Sequence, residues 1–239
     1  MFKSYDNLFL IMALIDVVKY DSPNDESFVW KFPSENLRIA TKVVVNQSQE
    51  VLFVKGGQVL DSLDPGTHTL STGNIPLLDK LINLPFGGNT PFTAEVWYVN
   101  KTVKRDLKWG TPSPIQIMDN TLGFPVSVRS FGKWGARIEN SRSFLTQIVG
   151  SQSIADAEKI NDYFTGEIVQ SLSKIISTAI NVNNISILQI ASSLTELSKF
   201  ATDMMKKEFE RFGLEIVNFN IESINIPEDE MEKIQKVFE

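Results

Sequence analysis

The sequence predicts an α+β fold in which strands come first and helices follow. Runs of β-branched and aromatic residues, separated by turn residues, fill residues 28–135. From about residue 154 the apolar residues recur every three or four positions, which is the helical period, and one alternating run returns near the C-terminus. We therefore expect a mixed or antiparallel sheet, two amphipathic helices packed on it and an outgoing C-terminal helix.

The composition sets limits on the function. The chain has 239 residues, of which 42% are apolar and 22% are charged, an ordinary globular balance that suits roughly one or two domains. It has no cysteine and one histidine, His68, so disulfides, thiolate metal sites and two-histidine metal motifs are excluded. The formal net charge of −6 leaves no excess of cations to follow a phosphate backbone, and we expect no nucleic-acid partner.

Glycine and proline mark the turns between the strands. Gly56-Gly57 separates apolar runs at 51–55 and 58–60, an arrangement typical of a two-residue hairpin. Asp64-Pro65-Gly66-Thr67 predicts a turn, because proline presets φ at the second position and glycine allows a positive φ at the third. Alternation of apolar and polar residues predicts further strands at 92–99, 102–109, 126–129 and 136–139.

Two long helices follow the strands. Apolar residues at helical spacing predict one helix at 154–180 and a second at 194–212. Ser193 and Glu196 have the spacing of a capping box at the start of the second helix. Gly213 is the left-handed residue expected at its end, and the alternating residues 217–222 predict a strand that returns to the sheet.

The C-terminal segment predicts an interface helix. Pro227 suits a first helical position, and the acids at 228–230 suit the positive end of the helix dipole. Isolated helices of about 12 residues are marginal in water, so we expect this one to need a partner or to continue in a longer natural protein. The residues expected to mediate oligomerisation recur on one helix face and are Met231, Ile234 and Phe238.

The N-terminal segment carries an unbroken apolar run at residues 8–15, where a membrane-spanning helix needs about 20 residues. No secretory signal peptide is predicted. Two alternatives remain: the run docks on the body of the protein, or it lies in a membrane interface. In the second case the residues expected to contact the membrane are Leu8, Phe9, Leu10, Ile11, Met12, Leu14 and Ile15.

These observations divide the chain into three parts. We expect an apolar segment at 1–15, a folded domain at 16–226 and the start of an oligomerisation helix at 227–239. The Pro/Gly-rich stretch 110–114 is the best candidate for a subdomain seam, because no linker, repeat or charge block interrupts the rest.

The sequence predicts no catalytic, cofactor-binding or metal-binding residue, and the protein is expected not to be an enzyme. His68 follows a Pro-Gly turn without a signal for a partner, and Gly87-Gly88-Asn89 lacks the Lys-Ser/Thr of a phosphate loop. Acids near both ends are interpreted as solvated, and five aromatic residues as packing groups: Trp97, Tyr98, Trp109, Phe131 and Trp134. The basic residues Lys101, Lys104, Arg105 and Lys108 form either a solvated strand face or a contact for anionic lipid or a partner.

Several short stretches occur in an order and spacing that point to one family. They are FVWKFP at 28–33, QEVLFVKGGQ at 49–58, PGTHTLST at 65–72, NIP at 74–76, EVWYVN at 95–100, KWGT at 108–111, and FGL at 212–214 leading to IP at 226–227. Over about residues 15–235 the chain resembles the SPFH (stomatin, prohibitin, flotillin; band 7) superfamily. In detail it resembles the bacterial branch that is often labelled virion-core-protein-like.

The resemblance implies a mixed α/β SPFH domain followed by an outgoing helix that builds oligomers. Relatives are membrane-associated scaffolds that assemble into rings or cages and recruit or segregate other proteins, and the bacterial branch is linked with phage-shock-type envelope stress partners. Longer members carry a C-terminal zinc ribbon, which this chain cannot hold because it has no cysteine.

The leading hypothesis is a non-enzymatic scaffold, cytoplasmic and peripheral at the inner face of the cell membrane. It would form homo-oligomers through a coiled-coil-like helix, contact lipid peripherally and organise a membrane-associated protein, with a phage-shock-protein-A-like protein as one candidate, in an envelope stress response. The alternative is a soluble cytosolic adaptor that binds a single protein partner without membrane contact. No cofactor is expected under either hypothesis.

Overall fold

Strands precede helices along the chain, in agreement with the predicted α+β class. The computed structural model describes residues 17–21, 27–82, 91–149, 157–183 and 186–238. The strands are β1 (Val17–Lys19), β2 (Val29–Lys31), β3 (Asn36–Leu37), β4 (Lys42–Val45), β5 (Gln49–Lys55), β6 (Gln58–Leu63), β7 (Gly66–Thr69), β8 (Phe92–Thr93), β9 (Glu95–Asn100), β10 (Lys104–Gly110), β11 (Ile115–Asp119), β12 (Phe124–Ile138) and β13 (Leu214–Asn225).

The helices are α1 (Pro76–Ile82), α2 (Ser141–Phe144), α3 (Ala157–Asn183), α4 (Leu194–Glu210) and α5 (Glu228–Phe238). A π-helical turn, Leu145–Val149, follows α2, and a 3₁₀ segment, Ile187–Ser193, precedes α4. The chain divides after Lys101 into two compact units: residues 1–101 with 149–155, and residues 102–148 with 156–239. The predicted seam at 110–114 lies inside the second unit.

The first unit is built on small sheets around an apolar core. One sheet has the order β2-β9-β5-β6 and is antiparallel throughout, and in a second sheet β4 pairs with β1 in parallel and with β7 antiparallel. Residues Val51 to Val54 of β5 are all buried, as expected for a strand covered on both faces. The predicted hairpin is confirmed, since Gly56 and Gly57 join β5 to β6 with φ of 58° and 75°.

Helix α1 is an element that the sequence pattern did not indicate. The carboxylate of Asp61, on β6, accepts hydrogen bonds from the backbone amides of Leu77 (3.2 Å) and Leu78 (2.7 Å) in the first turn of the helix. This cap lies far away in sequence, and the helix is too short to show a clear period.

Strand β12 is the centre of the second unit. Strands β10 and β11 pair with successive parts of it, from Gly110 opposite Phe131 to Ile115 opposite Val128, so residues 111–114 form an irregular insertion between two strands that share one partner. The prediction of two separate strands at 126–129 and 136–139 was wrong, because both segments belong to the single strand β12. Strand β13 pairs antiparallel with β12.

The buried face of this sheet carries the two predicted amphipathic helices. The α3 residues Ile160, Phe164, Ile168, Leu172 and Ile175 are all fully buried, which confirms the periodicity. The rings of Trp134, Phe164 and Phe209 lie within 5.2–5.7 Å of one another, measured between centroids, and join β12 to both helices.

The ends of α4 agree only in part with the prediction. Gly213 follows the helix with a φ of 74°, as a left-handed C-terminal residue should. The predicted capping box at Ser193 and Glu196 is wrong, because the Ser193 side chain makes no capping hydrogen bond. The 3₁₀ segment already supplies a helical turn before α4, and its own N-cap is Ser186, whose side chain accepts a hydrogen bond from the Leu188 amide.

Candidate functional site

The candidate catalytic groups have structural roles. The Nε2 atom of His68, on β7, lies 2.7 Å from the carbonyl oxygen of Asp64, which precedes that strand. Across the described ranges, no group of three or more histidine and acidic residues is placed to hold a metal ion.

The buried acid Asp119 is also structural. Its carboxylate accepts hydrogen bonds from the Ser186 hydroxyl and the Ile187 amide, both at 2.7 Å, and from the amides of Thr121 (2.8 Å) and Leu122 (3.0 Å). Burial of the carboxylate opposes its charge, but these hydrogen bonds outweigh burial, so the pKa of Asp119 lies below its ordinary value. The side chain ties the end of β11 to the start of the 3₁₀ segment.

The predicted membrane-contact residues lie outside the described residues, so their placement stays a prediction. They are Leu8, Phe9, Leu10, Ile11, Met12, Leu14 and Ile15. Within the described part of the chain, no helix combines the length and the apolar character needed to cross a membrane.

The C-terminal helix α5 begins by docking on its own unit. Ile234 is only 3% exposed and Met231 is half-buried, whereas the side chain of Phe238 lies outside the described set. Val237, which follows Ile234 by three positions and borders the same face, is 64% exposed. The apolar stripe is thus covered in the middle of the helix and uncovered in its last turn.

Glu230 anchors α5 to the N-terminal half of β12. Its carboxylate accepts a hydrogen bond from the backbone amide of Ser127 at 3.2 Å and lies 3.0 Å from the Lys233 ammonium. The Lys233 hydrogen bond, and after it the Ser127 hydrogen bond, holds the pKa of Glu230 below its ordinary value. At Ser127 one edge of β12 pairs with β11. On the opposite edge, the Glu230 carboxylate accepts the hydrogen bond of the Ser127 backbone amide. The interpretation of 228–230 as only solvated acids was wrong for Glu230.

An apolar pocket of about 200 Å³ lies between the end of α3, the 3₁₀ segment and the start of α4. It is lined by Ala179, Val182, Ile190, Ser193, Glu196, Leu197 and Phe200. Val182 is 76% exposed at its mouth, and the volume suits one or two aliphatic side chains.

The outer face of the second unit's sheet carries a further group of exposed residues. Along β12 the residues that point away from the core include Arg129, Phe131 and Lys133, and Lys108 of β10 lies directly opposite Lys133. Phe131 is 48% exposed because its neighbours across the two flanking strands are small, Gly110 and Ser223. We call the four residues Lys108, Arg129, Phe131 and Lys133 the outer patch.

The other members of the predicted aromatic and basic groups are placed differently. Tyr98, Trp109 and Trp134 are buried, in agreement with their interpretation as packing groups. Lys101 lies 3.6 Å from Glu50 within the first unit, whereas Lys108 lies on β10 of the second unit.

Comparison with known proteins identifies the class. The family model described as "SPFH domain-Band 7 family" matches residues 29–238. The chain belongs to the SPFH, or band 7, family, and the predicted resemblance is confirmed at the level of the family.

A relative in Bacillus subtilis (strain 168) supports the same placement. Over 224 residues the chain is 22% identical to an uncharacterized protein, YdjI, and the match covers 93% of this chain and 68% of that protein. The similarity thus extends through both compact units.

Proposed function

We propose that this protein is a non-enzymatic scaffold that self-assembles and organises or recruits membrane-associated proteins, peripherally at the inner face of the cell membrane and in an envelope stress response. Family membership supports a scaffold-like role. The observation that carries the self-assembly is the stripe of α5, which is buried at Ile234 and exposed at Val237.

The docked first turns of α5 support this proposal because they fix the direction in which the last turn projects. Glu230 and Ile234 hold the helix on the second unit, so Val237 is presented from a positioned element rather than from a free tail. An exposed valine at the end of such a helix continues the stripe on which Met231 and Ile234 already lie, and a second copy can bury it.

Light scattering tests the self-assembly with a matched pair of variants. Val237→Lys and Glu232→Gln each raise the net charge by one at an exposed position of α5, but Val237 borders the apolar stripe and Glu232 lies on the other side of the helix. We expect Val237→Lys to reduce the mass of the assembly and Glu232→Gln to leave it unchanged. A wild-type protein that is monomeric across a dilution series would contradict the self-assembly.

Vesicle co-sedimentation tests the membrane contact. The full chain is mixed with vesicles of anionic phospholipid and compared with a variant that carries Phe9→Ser and Ile11→Ser. We expect the variant to stay in the supernatant, and Val182→Ser, which removes an exposed apolar side chain elsewhere, to sediment as the wild type does. Equal sedimentation of all three proteins would remove residues 1–15 from the proposal.

A soluble adaptor for one protein partner is the second candidate function. The pocket beside Val182 favours it, because a small apolar pocket on the surface suits insertion of a partner's side chain. Cell fractionation after washing with high salt separates the two candidates, since an adaptor without membrane contact leaves the membrane fraction entirely.

A further inference from the structure

We propose that the outer patch binds an acidic segment of a partner protein that places an apolar side chain against Phe131. This inference deepens the proposed scaffold function, on which it rests, by stating the chemistry of the partner that is recruited.

The cross-strand neighbours of Phe131 leave its ring uncovered. Its ring rises between Gly110 on β10 and Ser223 on β13, neither of which can cover it. Neighbouring strands lie about 4.8 Å apart, so a side chain laid across either small residue contacts the edge or face of the ring. Exposed aromatic residues that become buried when a partner binds are frequent anchors of protein interfaces.

The charged side chains of the outer patch, on β10 and β12, are all positive. Lys108 and Lys133 face each other across the strand pair, and directly opposed like charges lower the stability of a sheet. Lys108 and Arg129 form no ion pair with any residue of the described ranges, and Lys133 is paired only with Glu222, at 3.7 Å. In a chain of net charge −6, this local excess of cations attracts an anionic partner.

The remaining groups on this face favour a protein over a membrane or a nucleic acid. Asn220 and Asn225 of β13 lie opposite Lys133 and Arg129 and are exposed, so they offer amide hydrogen bonds to a peptide backbone. An interfacial membrane site needs a broad apolar face, and single-stranded nucleic acid is held by successive aromatic side chains. Phe131 is one ring between polar groups, which is the composition of an interface centre with a polar rim.

Fluorescence anisotropy with defined polymers tests the proposal on the full chain. The probes are labelled polyglutamate and a labelled glutamate–tyrosine copolymer of the same length, in which neutral aromatic side chains replace part of the carboxylates. We expect the wild type to bind the copolymer more tightly, and Phe131→Ser to weaken copolymer binding about tenfold, to the level of polyglutamate. Arg129→Gln is expected to weaken binding of both polymers by a similar factor, because it removes charge alone.

Matched control variants keep the result specific. Leu81→Ser removes an exposed apolar side chain from α1, and Lys174→Gln removes an exposed lysine from α3, and neither is expected to change the binding. Circular dichroism verifies that each variant is folded. Equal affinity of wild type and Phe131→Ser for the copolymer would overturn the proposal.

Two further outcomes also count against it. Binding of polyuridylate or anionic vesicles as tightly as the copolymer, without dependence on Phe131, would make the outer patch a general anion surface. Loss of assembly mass in Phe131→Ser, measured by light scattering, would make a second copy the occupant. The two proposals can also be separated. If light scattering shows no assembly while Phe131→Ser still weakens copolymer binding, the proposal of self-assembly is overturned and the proposal of partner binding at the outer patch is supported.

Discussion

Gly132 has a role that only the pairing of two strands explains. A Cβ atom added at this position would overlap the backbone carbonyl oxygen of Asn220 on β13, and backbone cannot move aside without breaking the ladder. A Cβ atom at Gly135 would instead overlap the side chain of Asn218, which can turn away, and would lie 3.0 Å from the backbone carbonyl oxygen of Lys104 on β10. Both glycines interrupt the apolar alternation of β12 in the sequence, yet Gly132 is the residue that allows β13 to pair closely with it.

The first prediction at this scale compares two glycines. We expect Gly132→Ala to lower the free energy of unfolding by about 3 kcal/mol or more, because the new methyl group has no space. Gly166→Ala, on an exposed part of α3 with nothing within 4 Å, is expected to raise it by about 0.5–1 kcal/mol. Urea unfolding measures both. An unchanged midpoint for Gly132→Ala would show that the two strands are further apart than described.

The second prediction concerns Asp119. Because its pKa is lowered in the folded protein, its stabilising contribution is complete above the unfolded-state pKa of about 3.9 and is lost as the pH falls through the folded-state value. We expect Asp119→Asn to cost about 3 kcal/mol at neutral pH, since the amide cannot accept all four hydrogen bonds, and to have a weaker acid dependence. Urea unfolding at several pH values tests this, with the exposed Asp203→Asn as the control.

At the scale of elements, side chains from helices complete the backbone hydrogen bonds of strand edges. On β13, the Phe219 amide donates to the Thr202 hydroxyl at 3.2 Å and the Ile221 amide donates to the Ser198 hydroxyl at 2.9 Å, both from α4. On β12, the Ser127 amide donates a hydrogen bond to the Glu230 carboxylate of α5. Edges covered in this manner are protected from pairing with another chain.

The prediction at this scale is local undocking of α5. Glu230→Gln removes the negative charge that contacts both the Lys233 ammonium and the Ser127 amide. We therefore expect the backbone amides of Ser127 and of α5 to exchange with solvent several-fold faster. Hydrogen exchange measured by mass spectrometry or NMR reports it. Glu232→Gln, at an exposed position on the other side of the helix, should exchange as the wild type does. Identical exchange in all three proteins would refute the anchoring role.

The carboxylate of Glu230 also makes this docking dependent on pH. The pKa of Glu230 is lowered when the helix is docked. Its carboxylate therefore stabilises docking at pH values above the ordinary pKa of a glutamate, and this stabilisation is lost as the pH falls through the lowered pKa. In Glu230→Gln that acid-induced loss should be absent, because the amide does not titrate in this range. The neutral variant therefore separates the effect of charge from that of packing at Ile234.

At the scale of the whole molecule, the net charge of −6 acts on every association of this protein. Copies repel one another, whereas an acidic partner is attracted to the outer patch against that background. Raising the NaCl concentration from about 0.05 M to about 0.5 M shortens the range of both effects. We expect the assembly through Val237 to strengthen, since its contact is apolar, and copolymer binding to weaken. Dissociation of the assembly by salt would instead indicate that ion pairs hold it.

Much of the fold could be predicted from local patterns, because those patterns act within a few residues. The hairpin at Gly56-Gly57, the end of α4 at Gly213 and the buried stripe of α3 each depend on short-range sterics or periodicity. Helix α1 and the contact of Asp119 with the start of the 3₁₀ segment were missed because Asp61 and Asp119 reach these elements from distant strands. A carboxylate that caps a remote element leaves no signal at its own position.

For the candidate site, too, some features could be predicted from the sequence and others required the tertiary structure. The sequence by itself determined the α+β class, the family resemblance and the excluded kinds of metal site, since these depend on composition, order and spacing. Only the tertiary structure decided that Ile234 is covered while Val237 is not, and that Lys108 lies beside Lys133 and Phe131. Exposure and cross-strand neighbours depend on which distant segments meet, and that is set by packing of the whole unit rather than by any local pattern.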